Sequence, residues 1–234
     1  MKPYLIIQND AREGAGQLMT LIRQRSLMSS TFLGWEADYK KMNSDSYCGL
    51  IVLGGAQGVY ELDEYPYLKD EIDLVKKFIE DKKTVIGLCL GAQIIAKALG
   101  GEVLQNSQKE IGWFEIQIEE SASNDDLFMM HPEKEMAFHF HGDYFKLPPG
   151  CISLAKSEMT ECQAFKYAEN VYGFQYHAEV DKELVDVMCR SNGSYMKANG
   201  YDAESVIAES ENKLTGYQLR CSFILNKWLD MAKK

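Results

Sequence analysis

Proline is scarce in this sequence of 234 residues, which contains only five, and its 18 glycines are scattered rather than gathered in a run. The chain therefore shows no linker that would separate two domains, and no low-complexity segment. Basic residues are also few, because 25 lysines and arginines stand against 35 aspartates and glutamates, for a formal net charge of -10. This balance excludes the basic surface of a typical nucleic-acid-binding protein, so we expect no nucleic-acid partner.

Long apolar runs are absent too. No stretch could cross a bilayer as a helix, and the apolar residues 4–7 form too short a run for a signal peptide. We therefore expect no membrane partner. The six cysteines contain no Cys-x-x-Cys pair, which is typical of a protein in the reducing cytoplasm, and we expect this chain to be located there.

The sequence contains 46% hydrophobic and 11% aromatic residues, enough for one large α/β domain with a full core. Strand patterns alternate with helical patterns along the first hundred residues. The predicted strands are residues 4–8, 31–37, 50–53 and 84–88, and the predicted helices are residues 15–27, 68–80 and 93–99. This alternation predicts a doubly wound, mostly parallel sheet with helices on both faces, in which ligands bind at the carboxyl ends of the strands.

Between residues 101 and 180, short strand patterns separated by turns replace the helices. They cover residues 102–105, 113–118, 135–140, 152–157, 162–167 and 171–176. Residues 167–171 predict a hairpin turn that returns the last strand, with His177 after it, across the sheet. From Asp181 onward the pattern is helical. We expect the last helix to pack on the domain as core, and a dimer-forming helix is the alternative. The apolar stripe that we expect to pack as core is Leu214, Tyr217, Cys221, Leu225 and Trp228.

A single cysteine between two glycines is the most distinctive local pattern. A β-branched run at residues 84–86 leads to Gly87, Cys89 and Gly91, and a helical pattern follows at once. This order predicts a strand, a tight elbow and a helix, similar to the nucleophile elbow of serine hydrolases. The dipole and free N–H groups of a helix N-terminus favour a thiolate there. A small buried apolar cysteine is the alternative interpretation.

A second pattern supports the nucleophile interpretation. The strand at residues 171–176 is followed by His177 and Glu179, and positions two apart at a strand end can reach the same side. A cysteine nucleophile needs a base to take its proton and a third group to orient that base. Cys89, His177 and Glu179 therefore form a candidate triad. Taken alone, the His-x-Glu pattern also fits two ordinary solvated residues at the end of a strand.

Five segments together resemble one family, the class I or triad glutamine amidotransferases. In the family's order, they are residues 53–60, 87–93, 109–113, 141–143 and 173–179. The chain is most similar to stand-alone proteins that resemble the glutaminase domain of GMP synthase. The resemblance implies a flavodoxin-like fold for residues 1–190, with residues 191–234 as a C-terminal helical extension packed on the same domain. Ala56 and Ala178 stand where many relatives have proline, and neither substitution touches a reacting group.

The same resemblance implies a role for each site residue. Cys89 attacks the side-chain carboxamide of glutamine, His177 transfers the proton and Glu179 orients His177. The backbone N–H groups of Gly55 and Leu90 form the oxyanion hole. The implied substrate contacts, which include a loop at residues 141–143, come from Gly54, Gln93, His141, Gly142 and Asp143.

Some of these positions also have simpler interpretations. Gln93 fits the surface of a helix, and Asp143 fits a turn. His139 and His141, with His131 nearby, raise the question of a metal site, because metal sites use such clusters. Since His141 already has a role in the family and no cysteine lies close in sequence, we expect neither a metal ion nor another cofactor.

The leading functional hypothesis is a glutamine amidotransferase subunit that forms a γ-glutamyl thioester and releases ammonia. No G-x-x-x-x-G-K-[ST] segment is present, so an acceptor synthase would be a separate subunit. The second hypothesis is a γ-glutamyl hydrolase or peptidase, whose small-molecule substrate has the same acyl half. The third is a binding or regulatory module without activity, which the intact Cys89, His177 and Glu179 disfavour.

Overall fold

The structure is a computed structural model that describes residues 2–129 and 131–232. Its strands are β1 (Tyr4–Gln8), β2 (Ser29–Leu33), β3 (Gly49–Val52), β4 (Thr84–Leu88), β5 (Val103–Ile118), β6 (Lys134–Phe145), β7 (Cys151–Ser157), β8 (Ala164–Tyr167) and β9 (Val171–Phe174). Its helices are α1 (Gly16–Gln24), α2 (Tyr67–Glu80), α3 (Leu90–Ala98), α4 (Lys182–Ser191), α5 (Gly193–Ala198) and α6 (Ala203–Met231). The predicted domain ranges also include Met1, Met130, Lys233 and Lys234, which lie outside the described residues.

Within the described residues, the strands form one sheet in the order β2-β1-β3-β4-β9-β8-β7-β5-β6. The first five of these are parallel, as expected for strands joined through crossover connections. The other four continue the sheet with antiparallel ladders. The hairpin between β8 and β9 places the strand that precedes His177 directly beside β4, which precedes Cys89.

Buried side chains of the parallel strands divide between two faces, because successive residues of a strand point in opposite directions. In β1, Ile6 packs in one core with Leu18 of α1 and Leu225 of α6. Leu5 belongs to the other core, together with Val75 of α2. Helices therefore cover both faces of the sheet, and the predicted α/β architecture is confirmed.

The long helix α6 contributes its apolar stripe to the first core. All five predicted stripe residues are buried, so the prediction that they pack as core is confirmed. Tyr4 in β1 donates a hydrogen bond of 2.7 Å to the carbonyl oxygen of Leu229. Trp228 donates one of 3.3 Å to the carbonyl oxygen of Val85 in β4. None of the helices within residues 2–129 and 131–232 is long and apolar enough to cross a membrane.

Several predicted strands have other boundaries in the structure. β2 ends at Leu33 rather than at residue 37, because Gly34 begins a tight 3₁₀ turn. A Cβ on Gly34 would lie 2.4 Å from Asn9 Oδ1, so close packing bends the chain there. The strands predicted at residues 102–105 and 113–118 are one strand, β5, which passes through a register shift between Gln105 and Glu110.

The predicted loop at residues 141–143 is also wrong. β6 continues to Phe145, so His141, Gly142 and Asp143 lie within a strand. His141 pairs with Glu110 of β5, and Asp143 pairs with Gln105. The pairing with β5 keeps this segment extended, and it sets polar side chains of the two strands next to each other.

Candidate active site

Cys89 is the single residue between β4 and α3. Its φ of 52° and ψ of -109° are strained for a residue with a side chain, as at a nucleophile elbow. Two glycines permit the turn. A Cβ on Gly87 would lie 2.4 Å from the carbonyl carbon of Gly91, and one on Gly91 would lie 2.0 Å from the carbonyl oxygen of Val52. The chain thus has the tight turn that the sequence predicts.

His177 and Glu179 follow β9, and both are buried. His177 Nδ1 lies 2.8 Å from Glu179 Oε1, so the carboxylate holds the ring with a proton on Nδ1. Burial opposes a positive charge on His177, but the interactions with Glu179 and with Cys89 outweigh burial and raise the pKa of His177 well above its usual value. The site therefore favours the charged form of His177.

Neighbouring elements hold the segment that carries this histidine. Tyr217 of α6 donates a hydrogen bond of 2.9 Å to the carbonyl oxygen of His177. The N–H of His177 donates one of 2.9 Å to the carbonyl oxygen of Phe138 in β6. The N–H of Gln17, in α1, donates one of 2.8 Å to the carbonyl oxygen of Glu179. Three elements distant in sequence therefore fix the position of the base.

Two of the candidate triad residues, Cys89 and His177, meet around Gly54. A Cβ on Gly54 would lie 3.3 Å from His177 Cε1 and 3.6 Å from Cys89 Cβ. Cys89 Sγ lies 3.8 Å from the carbonyl oxygen of Phe140 and 3.9 Å from Gln175 Nε2. In the part of the chain that the structure describes, the buried His177 Nε2 has no hydrogen-bond partner. The nitrogen that must accept the thiol proton is therefore not engaged by another protein group.

The two residues predicted as oxyanion donors also lie together. Leu90 is the first residue of α3, so its N–H is one of the four that have no intrahelical acceptor. Gly55 follows the carboxyl end of the neighbouring strand β3, and a Cβ on it would lie 3.1 Å from Leu90 Cδ2. Both residues line the cavity beside Cys89.

That cavity has a volume of about 350 Å³, within the range of small-molecule sites. Three of the predicted site residues lie outside its lining, namely Gly54, His177 and Glu179. The predicted residues that do line it are Gly55, Cys89, Leu90, Gln93, His141, Gly142 and Asp143. The predicted nucleophile and substrate contacts thus share one concave surface at the carboxyl ends of the parallel strands.

Gln93 is buried in α3 and lines this cavity, so the alternative of an exposed helix-surface residue is wrong. Its Nε2 donates a hydrogen bond of 3.3 Å to Gln175 Oε1. Gln175 links Gln93 to Cys89, which its own Nε2 contacts. Sequence reasoning does not find Gln175, because a glutamine near the end of a strand carries no spacing signal.

Opposite charges lie on the β6 side of the cavity. Asp143 Oδ2 accepts a hydrogen bond of 3.0 Å from Tyr60 Oη, which accepts one of 2.8 Å from Gln105 Nε2. Burial raises the pKa of Asp143, and the bond from Tyr60 opposes that effect. Lys109 Nζ lies 3.4 Å from the carbonyl oxygen of Gly142 and also lines the cavity. A carboxylate and an ammonium group are the charges that complement a free amino acid.

Further cavity residues carry chemistry that no sequence pattern indicates. Glu13 Oε2 would lie 2.8 Å from a Cβ on Gly54. Burial raises the pKa of Glu13 to about 7, although attraction to His177 opposes the shift. Tyr195, in α5, and Asn192, just before it, line the cavity from the C-terminal helices. Their position follows from the packing of those helices, which short motifs do not encode.

The histidine cluster has a different composition from the one the sequence suggests. His131 contacts Glu135 instead, with 2.7 Å between Nδ1 and Oε1. His139 Nδ1 lies 3.3 Å from His141 Nε2, and Glu110 completes the group. All three residues are buried, and one potential ligand atom of each lies within 4.8 Å of the others. These are the residues with the geometry to hold a metal ion, and Glu110 is found only from the structure.

Comparison with known proteins gives one family. The family model described as Glutamine amidotransferase class-I matches residues 17–192. The chain is 30% identical over 189 residues to the glutamine amidotransferase-like protein YfeJ of Salmonella typhimurium, a match that covers 80% of this chain and 79% of that protein. It is 34% identical over 155 residues to the glutamine-hydrolyzing GMP synthase of Spiroplasma kunkelii, a match that covers 65% of this chain and 28% of the synthase.

A solved structure of a glutamine amidotransferase from Thermotoga maritima superposes on the chain with a TM-score of 0.89. The superposition covers 100% of this chain and 99% of that one, with 24% sequence identity. At that identity the likeness concerns the fold alone, and it confirms the predicted fold class.

Proposed function

Because the chain belongs to the class I glutamine amidotransferase family, we propose that it hydrolyses the side-chain amide of glutamine with Cys89 as the nucleophile. His177 is the base, and Glu179 orients it. The observation that carries this proposal is the meeting of Cys89 and His177 around Gly54, at a strained elbow and with His177 Nε2 free of other partners.

Acylation begins with the transfer of the thiol proton to His177 Nε2 and the attack of Cys89 Sγ on the carboxamide carbon. The carbonyl oxygen gains the negative charge, and the N–H groups of Gly55 and Leu90 stabilise it. When the carbon–nitrogen bond breaks, His177 returns the proton to the departing nitrogen. The products of this half-reaction are ammonia and a γ-glutamyl thioester on Cys89.

Deacylation uses the same groups in the reverse direction. His177 takes a proton from water as the water oxygen attacks the thioester carbon. The carbon–sulfur bond then breaks, glutamate leaves, and His177 returns the proton to Cys89 Sγ, which restores the thiol that begins the cycle. Glu179 contributes in both halves by holding the ring tautomer and by stabilising its positive charge.

Recognition of the amino-acid part rests on the charges across the cavity. We assign the α-ammonium group of the substrate to Asp143 and its α-carboxylate to Lys109. Gln93 and the backbone at Gly142 provide the uncharged contacts, and the absence of a side chain at Gly54 lets Cys89 and His177 lie close together. The bond from Tyr60 fixes the Asp143 carboxylate before the substrate arrives, which reduces the entropy lost on binding.

The direct test is ammonia release from glutamine by the wild-type chain and by Cys89→Ala. The proposal predicts release by the wild type and none above background by the variant. A matched control is Cys48→Ala, at a partly buried cysteine outside the cavity lining, which should keep the wild-type rate. Release that survives in Cys89→Ala would show that another group is the nucleophile.

A second candidate, a γ-glutamyl hydrolase acting on γ-glutamyl conjugates, is favoured by one feature of the cavity. Tyr195 is 44% exposed and lines the cavity, although it lies beyond the matched residues 17–192. An aromatic side chain at this place suits a leaving amine larger than ammonia. Measuring kcat/KM for glutamine and for a γ-glutamyl dipeptide separates the two. If conjugates are the substrates, Tyr195→Ala lowers kcat/KM for the dipeptide and leaves that for glutamine unchanged.

The acceptor of the ammonia, in the leading proposal, is a synthase on a separate subunit. Residues 1–234 contain no phosphate-binding G-x-x-x-x-G-K-[ST] segment. The related GMP synthase is much longer than this chain, which spans 28% of it. Both observations support an acceptor site that lies outside these residues.

A further inference from the structure

We propose that Glu110, His139 and His141 bind one divalent first-row transition-metal ion, of which Zn²⁺ is the best fit. The ligand atoms are His139 Nδ1, His141 Nε2 and the Glu110 carboxylate. Two imidazoles and one carboxylate are a ligand set that zinc and its neighbours in the first row accept. The site lies beside the substrate cavity, because His141 belongs to both.

The spacing of these atoms suits direct coordination. Zn²⁺ bound tetrahedrally at about 2.0–2.1 Å places neighbouring ligand atoms about 3.3–3.4 Å apart. His139 Nδ1 and His141 Nε2 are 3.3 Å apart, and His141 Nε2 is 3.4 Å from Glu110 Oε2. His139 Nδ1 lies 3.9 Å from the other carboxylate oxygen, Glu110 Oε1, so the carboxylate must rotate to bring one oxygen close to both nitrogens.

The surrounding hydrogen bonds orient the ligands as they do in known metal sites. His141 Nδ1 lies 3.0 Å from the carbonyl oxygen of Asp143, which places the proton on Nδ1 and a lone pair on Nε2. Glu110 Oε2 accepts hydrogen bonds from two neighbours, Thr160 and Gln163. Among the described residues Glu110 Oε1 accepts one, from Ser157, so one of its two lone pairs remains for a metal ion.

Charge balance provides an independent argument. Glu110 is fully buried, and a buried carboxylate is costly unless a positive charge lies nearby. Its ion-pair partners within residues 2–129 and 131–232 are His139 and His141 alone. A histidine is positively charged only when it is protonated, so no permanently charged group pairs with Glu110 in this part of the chain. A divalent cation supplies the missing positive charge.

The remaining ring nitrogen of the cluster is that of His139. His139 Nε2 is buried without a hydrogen-bond partner in the described part of the chain. For Nδ1 to be a ligand this nitrogen must carry the ring proton, so that the lone pair of Nδ1 is directed at the other two ligands. The bound ion would fix β5 and β6 together at the residues that face the substrate.

The test is metal content. The wild-type chain is incubated with Zn²⁺, passed through a desalting column and analysed by inductively coupled plasma mass spectrometry. We expect about one equivalent per chain in the wild type, and less than about a tenth in Glu110→Gln and in His139→Gln. The matched control is His131→Gln, which alters a buried histidine paired with Glu135 and should retain the ion.

A second variant tests whether zinc binds at Cys89 and His177 instead of at the proposed site. Cys89→Ala removes the thiolate beside His177, and it should still retain one equivalent. Visible absorption of the Co²⁺-loaded Cys89→Ala chain should show the bands of nitrogen and oxygen coordination. Circular dichroism tests whether each variant is folded. If the Glu110 or His139 variant does not fold, the Co²⁺ spectrum of Cys89→Ala still reports on the site, because that variant keeps all three proposed ligands. A wild type that retains no metal, retention unchanged in both ligand variants, or loss in Cys89→Ala would each overturn the proposal.

Discussion

Tyr217, in the C-terminal helix α6, donates a hydrogen bond of 2.9 Å to the backbone carbonyl oxygen of His177. The two residues are 40 positions apart in sequence, and both are buried. Because His177 follows the short strand β9, its ring direction depends on where its backbone is held. The C-terminal helix therefore does more than cover the core, since it positions the proposed base.

Tyr217→Phe should lower both stability and activity. Removal of the hydroxyl leaves a buried carbonyl oxygen without this donor, at a cost of about 1–2 kcal/mol in the free energy of unfolding. The looser base segment should reduce kcat/KM roughly three- to tenfold, less than the roughly 100-fold loss caused by a 1 Å misplacement. Tyr176→Phe is the matched control, because the buried Tyr176 hydroxyl has no partner among the described residues. Equal losses in the two variants would contradict the positioning role.

Gly91→Ala should disrupt the elbow. The added Cβ would lie 2.0 Å from the carbonyl oxygen of Val52, so β3 and α3 must separate. We expect a loss of about 3 kcal/mol or more in the free energy of unfolding, measured by chemical denaturation. Gly193→Ala is the control, because nothing lies within 4 Å of its added Cβ, and it should change stability by less than about 0.5 kcal/mol. A Gly91 variant as stable as that control would show that the elbow has free space.

The elbow and the His-x-Glu pair could be predicted from the sequence because each is a local pattern. Gly87, Cys89 and Gly91 encode a tight turn by their spacing alone, and alternating strand and helix patterns encode the sheet. Glu13 and Tyr195 could not be found in this way. They reach the cavity only because distant elements pack together, and neither belongs to a spacing pattern.

The extents of β5 and β6 could not be predicted from the sequence, for a related reason. Polar residues at positions 105–110 interrupt the strand pattern of β5, but Gln105 and Glu110, at the two ends of this segment, both pair with β6, so the two halves form one strand. The same pairing brings Glu110 to His141, which replaces the histidine cluster that sequence proximity to His131 suggests. Long-range strand register decides both outcomes, and local propensity does not contain it.

Glu71→Gln should stabilise the protein at alkaline pH. Burial raises the pKa of Glu71 from 4.5 to about 7, although the hydrogen bond from Asn9 opposes the shift. Between those two pH values the folded chain holds a proton that the unfolded chain has lost, so wild-type stability falls as pH rises through this window. Glutamine mimics the protonated side chain and avoids the loss.

The gain in the free energy of unfolding should reach up to about 3 kcal/mol at pH 8 and should vanish near pH 4.5. Thermal unfolding at the two pH values measures it. Glu80→Gln, at an exposed position of the same helix, is the control and should show no pH-dependent gain. If Glu71→Gln destabilises the chain at pH 8, the carboxylate must be the favoured form inside the fold.

His177→Asn and Glu179→Gln should differ in severity. Loss of the base should lower kcat by about 10⁶, whereas loss of the orienting carboxylate should lower it by about 10⁴, as in serine-protease triads. The reason is that His177 transfers the proton itself, while Glu179 acts through the 2.8 Å contact with His177. Steady-state ammonia release measures both rates. An effect of Glu179→Gln as large as that of His177→Asn would mean that Glu179 does more than orient the ring.

The most direct measurement of the central claim is intact-protein mass spectrometry after incubation with a diazo-ketone analogue of glutamine. Such an analogue needs both a glutamine-shaped cavity and an activated nucleophile, so it tests the cavity and Cys89 together. The account predicts one adduct per chain in the wild type, blocked by excess glutamine and absent in Cys89→Ala. An adduct that persists in Cys89→Ala, or that excess glutamine does not block, would contradict it.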